Sequence, residues 1–186
     1  MPNYCENDLY IDGDAADVAA ILALIGADRT PCAFDFSAVV PYPAEYAERD
    51  AEYQALGGFI EKNKPENAEK LAAFVAKWGD DRDGFNAGRY NWCVENWGTK
   101  WQAIDPELRQ SKRGTLLKFD TAWAPPEPVI RALAARFPNV RLSLEYFEGG
   151  MGYSGGLAFR DTRDLDEGEE REVRWYSNEY RGHRGG

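Results

Sequence analysis

Histidine is almost missing from this sequence. The single one, His183, stands near the end, within RGHRGG (Arg181–Gly186). Imidazole is the commonest general base near neutral pH and the commonest metal ligand. A Ser-His-Asp triad, a Cys-His pair and a His-ligated zinc are therefore all disfavoured. Cysteine is scarce as well. Cys5, Cys32 and Cys93 are odd in number and share no metal-type spacing, which argues against a disulfide framework and fits a reducing, cytoplasmic setting. No apolar run approaches the ~20 residues that a membrane helix needs. The opening MPNYCENDLY has neither the basic start nor the apolar core of a secretion signal. Positive charge is in deficit: 22 Lys and Arg face 32 Asp and Glu, a net charge of −10. Surfaces that track phosphate are basic, so duplex nucleic acid is disfavoured as a partner, and the acidity reads first as a source of solubility.

What is present is apolar patterning at two periods. Tyr4 to Asp12 alternates as a half-buried strand, with Cys5, Asn7, Leu9 and Ile11 on one side and Tyr4, Glu6, Asp8 and Tyr10 on the other. Asp14 then caps a helix whose Val18, Ile21, Leu22 and Ile25 share a face, closed by Gly26. Phe34 to Val40 reads as a second strand, stopped by Pro41 and Pro43. Ala44 to Leu56 and Asn67 to Trp78 read as two charged helices and look inserted. Leu116 to Trp123 returns to strand. Pro125 and Pro126 open a helix carrying Val129, Ile130, Leu133 and Phe137, and Val140 to Phe147 alternates cleanly. The expected fold is α+β: a ferredoxin-like split βαβ antiparallel sheet, with a helical insertion at about 43–90 between strands 2 and 3. A single domain over 1–186 is expected. A C-terminal β extension and tail at about 157–186 would pair Leu157–Arg160 with Glu172–Tyr176 around the acidic loop Asp164–Glu170.

Three short patterns resemble known sites and fall short. Gly150, Gly152 and Gly155 spell G-x-G-x-x-G, but Leu157 and Phe159 after them read as strand, whereas a dinucleotide loop must open a helix. Asp80, Asp81, Asp83 and Gly84 resemble a calcium loop, yet Gly79 stands at the first ligand position and Tyr90 at the bidentate one. Neither cofactor nor metal is expected. The second face of the sheet would carry Tyr4, Glu6, Asp8 and Tyr10 beside Lys118, Asp120, Arg141 and Glu145. Carboxylates outnumber cations there, so base stacking with phosphate capture is disfavoured on that face.

The richest stretch is Asn91 to Trp101, NWCVENWGTKW, with three tryptophans and one lysine. Its plain reading is packing: Trp92, Trp97 and Trp101 fill core, and Asn96 and Thr99 satisfy a turn. Its functional reading is a pocket in which the turn at Gly98 presents Asn96, Thr99 and Lys100 between indole walls. Trp123, Tyr146 and Glu148, from neighbouring strand ends, would complete the wall. A ring stacks on indole and an ammonium meets a negative charge. The candidate ligand-binding residues are thus Asn96, Trp97, Thr99, Lys100, Trp101, Trp123, Tyr146 and Glu148.

Several segments together resemble one family. They are PNYCENDLYIDG at the start, VVPYP (Val39–Pro43), WCVENWGTKWQA (Trp92–Ala103), TAWAPPEPVI from Thr121 and YFEGGMGYSG from Tyr146. In this order they resemble the YubB-type proteins of bacterial plasmids and phages. The resemblance implies a ferredoxin-like domain, a mobile-element origin and an intracellular setting. It supplies no catalytic residues, and it does not extend to the segment near Asp164 or to RGHRGG.

The leading expectation is a non-catalytic accessory protein of a phage or plasmid. It would bind a small nucleotide-like ligand or a host protein, and sequestering a host defence signal fits that class. The alternatives are a single-stranded nucleic-acid binder using the indoles, and an enzyme using carboxylates with Lys100 and Glu148. Tyr46, Tyr53 and Leu56, at roughly helical spacing, leave a homo-oligomer open, with packing inside one chain as the ordinary cause.

Overall fold

The structure, a computed structural model, describes residues 3–167, 169 and 171–175, the last three by backbone alone. His183, the Arg181–Gly186 tail and Tyr176 lie outside the described residues. The chain forms two compact units. One is built from residues up to Val40 and from Val94 onward; the other is Pro41–Cys93.

The first unit is a six-stranded antiparallel sheet. Its strands are β1 (Tyr4–Asp12), β2 (Ile104–Ser111), β3 (Gly114–Ala122), β4 (Arg141–Glu148), β5 (Tyr153–Phe159) and β6 (Glu172–Trp175), in the order β2-β3-β1-β4-β5-β6. Helices α1 (Ala15–Ile25) and α7 (Glu127–Arg136) make the two crossovers. The inner order β2-β3-β1-β4 is that of a ferredoxin-like split βαβ fold, and β5 and β6 extend it past β4. The alternation in β1 puts Cys5, Asn7, Leu9 and Ile11 on the covered face. They lie level with Glu148, Tyr146, Leu144 and Leu142 of β4. Leu9, Ile11, Leu142 and Leu144 are fully buried, as are Ile21 and Ile25 of α1 and Val129, Ile130 and Leu133 of α7. Each such side chain removed from water contributes about 1.5–3 kcal/mol. Asp14 takes the cap position of α1, but its side chain makes no capping bond; Gly26 at φ 79° closes the helix as expected.

Two expectations need correction. Phe34–Val40 is not a strand. Asp35 accepts a bond from the Ser37 amide (2.9 Å), which turns the chain into the short helix α2 (Phe36–Val39). The Phe36 amide donates to Gln102 Oε1 (2.8 Å) rather than to a neighbouring strand. Phe34 and Phe36 still reach the core, edge-on to each other and to Phe119, so an alternating pattern arises without a strand. The true second strand is β2, IDPELRQS. Among the described residues it pairs only with β3; its register slips between Ile104 and Glu107, and Asp105 there has φ 47°. Edge strands tolerate a proline at a bulge and carry charge on both sides, which erases the alternation that reveals a strand. The insertion therefore follows α1 and lies before the second strand, not between strands 2 and 3.

The inserted unit contains α3 (Ala44–Ala55), α4 (Gly58–Glu61) and α5 (Ala68–Trp78), and the start of α6 (Tyr90–Trp97), within which the boundary between units falls. Tyr53, Leu56 and Phe74 form its core, with Leu71 and Trp78 packed against them. The proposed oligomer residues Tyr53 and Leu56 are thus interior, and Tyr46 rests against Tyr42. The calcium-like loop is tied down by cations. Arg49 pairs with Asp80, and Lys62 donates to both the carboxylate and the carbonyl of Asp81.

Candidate functional site

The residues around Trp123 are held by backbone geometry. The Ala124 amide returns to the Ala122 carbonyl (2.9 Å), which makes Trp123, at φ 69°, the centre of a three-residue turn. A bulky residue at positive φ is a strained choice, and such strain persists only where the surroundings fix it. Here they do. Thr99 Oγ1 donates to the Ala122 carbonyl (2.9 Å), and Thr121 Oγ1 donates to that of Ala124 (2.8 Å). The Trp123 amide donates to the Asn3 carbonyl (3.0 Å), and the Tyr153 hydroxyl donates to the Trp123 carbonyl. Gly98 makes the approach of its segment feasible. At φ 80°, a Cβ there would sit 2.8 Å from both the Pro125 carbonyl and Pro128.

This arrangement delivers Lys100. Its Nζ lies 4.2 Å from the ring centroid of Trp101 and 4.0 Å from that of Trp123. The ammonium is clasped between two indoles, both partly open to solvent at 36% and 47% exposure. Cation–π contacts at exposed sites are worth about 0.5–1 kcal/mol each. Among the described residues Lys100 forms no ion pair, although the chain carries a net charge of −10.

The other five candidates are placed differently. Trp97 is no open wall. It is 2% exposed, stands edge-on to Phe36, and its indole N–H donates to the Val40 carbonyl (3.0 Å). A fully buried Trp that finds a partner for its N–H is a core residue. Thr99 is buried and is spent on the Trp123 turn rather than presented to a ligand. Asn96 is half-buried in the last turn of α6. Tyr146 is buried on the covered face, and its hydroxyl donates to Glu127 (3.3 Å). Glu148 is 1% exposed and its two carboxylate oxygens accept the amides of Gly150 and Met151. It closes the β4–β5 turn, which holds Gly150 and Gly152; Gly155 lies within β5 opposite Tyr146, and the segment opens no helix. Trp92 stacks edge-on against Tyr42 inside the inserted unit. Sequence reading missed Tyr153 and Thr121 as supports of Trp123. The Tyr153 bond comes from β5, distant in sequence, while Thr121 reaches the Ala124 carbonyl from the end of β3.

Nearby chemistry is quiet. Burial pushes the Cys5 thiol up to about 12, with the Glu148 carboxylate adding to the effect, so Cys5 is no nucleophile at neutral pH. Burial also raises Cys32 and Cys93. On the sheet's second face, Lys118 pairs with Asp8 (2.7 Å), Arg113 pairs with Glu145 (2.7 Å), and the Arg113 guanidinium covers the Tyr10 ring at 3.8 Å. Beside them a cavity of about 240 Å³ is lined by Glu6, Asp8, Asp105, Glu107, Asp120 and Lys118. Burial raises the Asp120 carboxyl above its usual range, with Glu6 and Asp105 contributing. Such a surface repels phosphate. Among the described residues no cluster of His, Cys, Asp and Glu is arranged to hold a metal ion, and no helix is long and apolar enough to cross a membrane.

Residues 96–179 match a family model described as a ferredoxin-like domain in Api92-like protein. The match takes in Lys100, Trp101, Trp123 and strands β2 to β6. A solved structure, protein api92 from Yersinia pseudotuberculosis, is similar over 97% of this chain and 100% of that one, with a TM-score of 0.52 and 10% identity. That likeness concerns the fold. No curated protein matches.

Proposed function

We propose that this protein is a non-catalytic binding module that takes an anionic, ring-bearing ligand of nucleotide type at the Lys100 clamp. The observation that carries the reading is the ammonium held between the half-exposed indoles of Trp101 and Trp123, with no ion-pair partner among the described residues. A phosphate or carboxylate meets Lys100, and a planar ring lies on the outer face of an indole. The strain at Trp123 supports the reading, because strained residues cluster at functional sites. Thr99, Gly98 and Tyr153 act as positioning residues. Glu148 and Tyr146, engaged by backbone amides and by Glu127, serve the scaffold, so no catalytic role is assigned to them.

The resemblance to YubB-type proteins supports a plasmid or phage origin and action in the cytoplasm of a bacterial host. In that setting sequestering a nucleotide-like defence signal is the role we favour, and capture of a host protein is the alternative partner class.

Calorimetry against ATP, ADP-ribose and cyclic dinucleotides tests the site. Removing the charge with Lys100→Ala forfeits a charge-assisted bond of about 1.5–3 kcal/mol, so affinity falls roughly ten-fold or more. Trp123→Ala forfeits a stack worth about 1–3 kcal/mol. Absence of binding by every ligand, or binding that both variants retain, ends the proposal. Single-stranded nucleic acid is the second reading, because the exposed indoles suit any base. It predicts a steep loss of affinity with salt, whereas a mononucleotide contacting one lysine gives a shallow one.

A further inference from the structure

The two walls of the Lys100 clamp are anchored, and the ammonium between them is not. Trp123 is held at φ 69° by the backbone bonds of its turn. Trp101 lies between two tied residues. Thr99 donates to the Ala122 carbonyl (2.9 Å), and Gln102 accepts from the Phe36 amide (2.8 Å) and donates to Ser37 Oγ (2.9 Å). Lys100 has no such tie. Among the described residues its ammonium makes no hydrogen bond and no ion pair, and the two ring contacts alone hold it. Contacts of that kind at an exposed site are weak, and the four-carbon stem of a lysine is flexible.

The space that the ammonium fills has the width of a ring slot. Its Nζ lies 4.2 Å from one ring centroid and 4.0 Å from the other, so the centroids stand no further apart than these two distances end to end, about 8 Å. A planar ring touching an aromatic wall on each side, at roughly 3.5–4.0 Å per carbon contact, needs about 7–8 Å. The walls also select charge, because the face of an indole is negative and attracts a cation. Nearby carboxylates add to that field. Asp105 follows Trp101 by four positions and Asp120 precedes Trp123 by three. Both line the acidic cavity with Glu6, which lies level with Asp120 in the ladder of β1 and β3.

We propose that the clamp is a slot for a nucleotide whose base carries a positive charge, with Lys100 as its built-in plug. The cationic ring takes the place of the ammonium between Trp101 and Trp123, and the displaced Lys100 meets the phosphate of the ligand. The inference rests on the clamp being a nucleotide site and refines it, moving the ring from the outer face of an indole into the gap.

Calorimetry on the full chain, below neutral pH, compares N7-methylguanosine monophosphate, whose ring is cationic, with guanosine monophosphate, whose ring is neutral. The methylated nucleotide is expected to bind about ten-fold more tightly, the worth of two cation–π contacts. Lys100→Ala is expected to keep that preference and to lose the preference for the monophosphate over its nucleoside. Trp101→Ala, which alters an exposed side chain, is expected to lose the preference for ring charge. NMR reads the displacement itself. The two indoles shift the Lys100 side-chain protons upfield in the free protein, and that shift is expected to disappear on binding. Equal affinities for the two nucleotides, or Lys100 protons that stay upfield in the complex, overturn the slot and leave nucleotide binding at the clamp standing. Binding of neither by a protein that binds ATP also overturns the slot alone, whereas binding of no nucleotide removes the clamp reading with it.

Discussion

The sheet unit and the inserted unit solve the same problem with different materials. The sheet unit joins residues far apart in sequence by antiparallel ladders and buries continuous apolar strands between α1, α7 and the covered face. The inserted unit is too short for such a core. It has Tyr53, Leu56 and Phe74, and it adds cations laid over rings: Arg49 over Phe74 and Trp78, Lys62 over Tyr53, Arg89 over Tyr42 and Phe85. Each long cationic stem supplies apolar contact while its head is paired with Asp80, Asp81 or Asp50. The difference teaches that surface area sets the strategy: a small body cannot bury enough carbon, so it recruits the carbon of charged side chains.

The largest effects come from the two cores. Phe74→Ala and Trp97→Ala each remove an aromatic side chain whose loss costs about 3–5 kcal/mol. For the inserted unit that is comparable with its whole stability, so Phe74→Ala is expected to unfold Pro41–Cys93 while the sheet unit stays protected. Trp97→Ala instead lowers the melting temperature of the sheet unit. Segment-resolved hydrogen exchange reads both, and uniform loss of protection in Phe74→Ala would break the contrast.

Glu148→Ala comes next. It strands the amides of Gly150 and Met151, at about 1–3 kcal/mol, and is expected to leave ligand affinity untouched. Lys100→Ala does the reverse, costing affinity, with a stability loss limited to its two exposed cation–π contacts, about 1–2 kcal/mol. Denaturant titration alongside calorimetry separates the two, and an affinity loss in Glu148→Ala at full folding would return that carboxylate to the site.

Acid sharpens the comparison with opposite signs. Lys62 holds the Asp81 carboxyl below its usual range. Its stabilising contribution is present above the unfolded value, near 3.8, and is lost as pH falls through the lower folded one. Burial holds Asp120 above its usual range, so its charge destabilises at pH above the folded value and the penalty fades on acidification. Asp81→Asn should therefore weaken the inserted unit at neutral pH, and Asp120→Asn should strengthen the sheet unit there. Both effects should vanish in acid. Melting curves of the two variants across pH, with equal signs at neutrality, would refute this assignment.

The smallest effect is the strain at Trp123. Glycine adopts positive φ without the roughly 1–2 kcal/mol that other residues incur. Trp123→Gly is expected to be more stable than Trp123→Ala by about 1 kcal/mol, with neither binding ligand. Equal stabilities would mean that the turn relaxes when the indole is removed.

Legibility in the sequence followed the range of the forces. β1, β4 and α7 announce themselves because one face of each is apolar and the other is not, and α1, apolar nearly throughout, is marked by Asp14 and Gly26 at its ends. β2 was invisible because an edge strand has no such contrast, and Phe34–Val40 was misleading because two core phenylalanines spaced by two mimic a strand within a capped turn. In the candidate site, composition singled out Trp101, Lys100 and Trp123. It could not separate them from Trp97, since tryptophan reads the same in a core and on a surface. The buried roles of Arg49 and Lys62 were likewise hidden, because a cation reads as exposed until its ring and carboxylate are known.

By itself, then, the order of residues determined the alternating and helical segments, the acidic balance and the shortage of imidazole, all of which depend on neighbours a few positions apart. Tertiary structure alone decided which strand closes the sheet beside β3, which tryptophan meets water, and that Lys100 rests between two indoles. Those outcomes depend on groups brought together from distant parts of the chain, and only the folded backbone, with a strained turn at Trp123 and a close approach at Gly98, fixes where they meet.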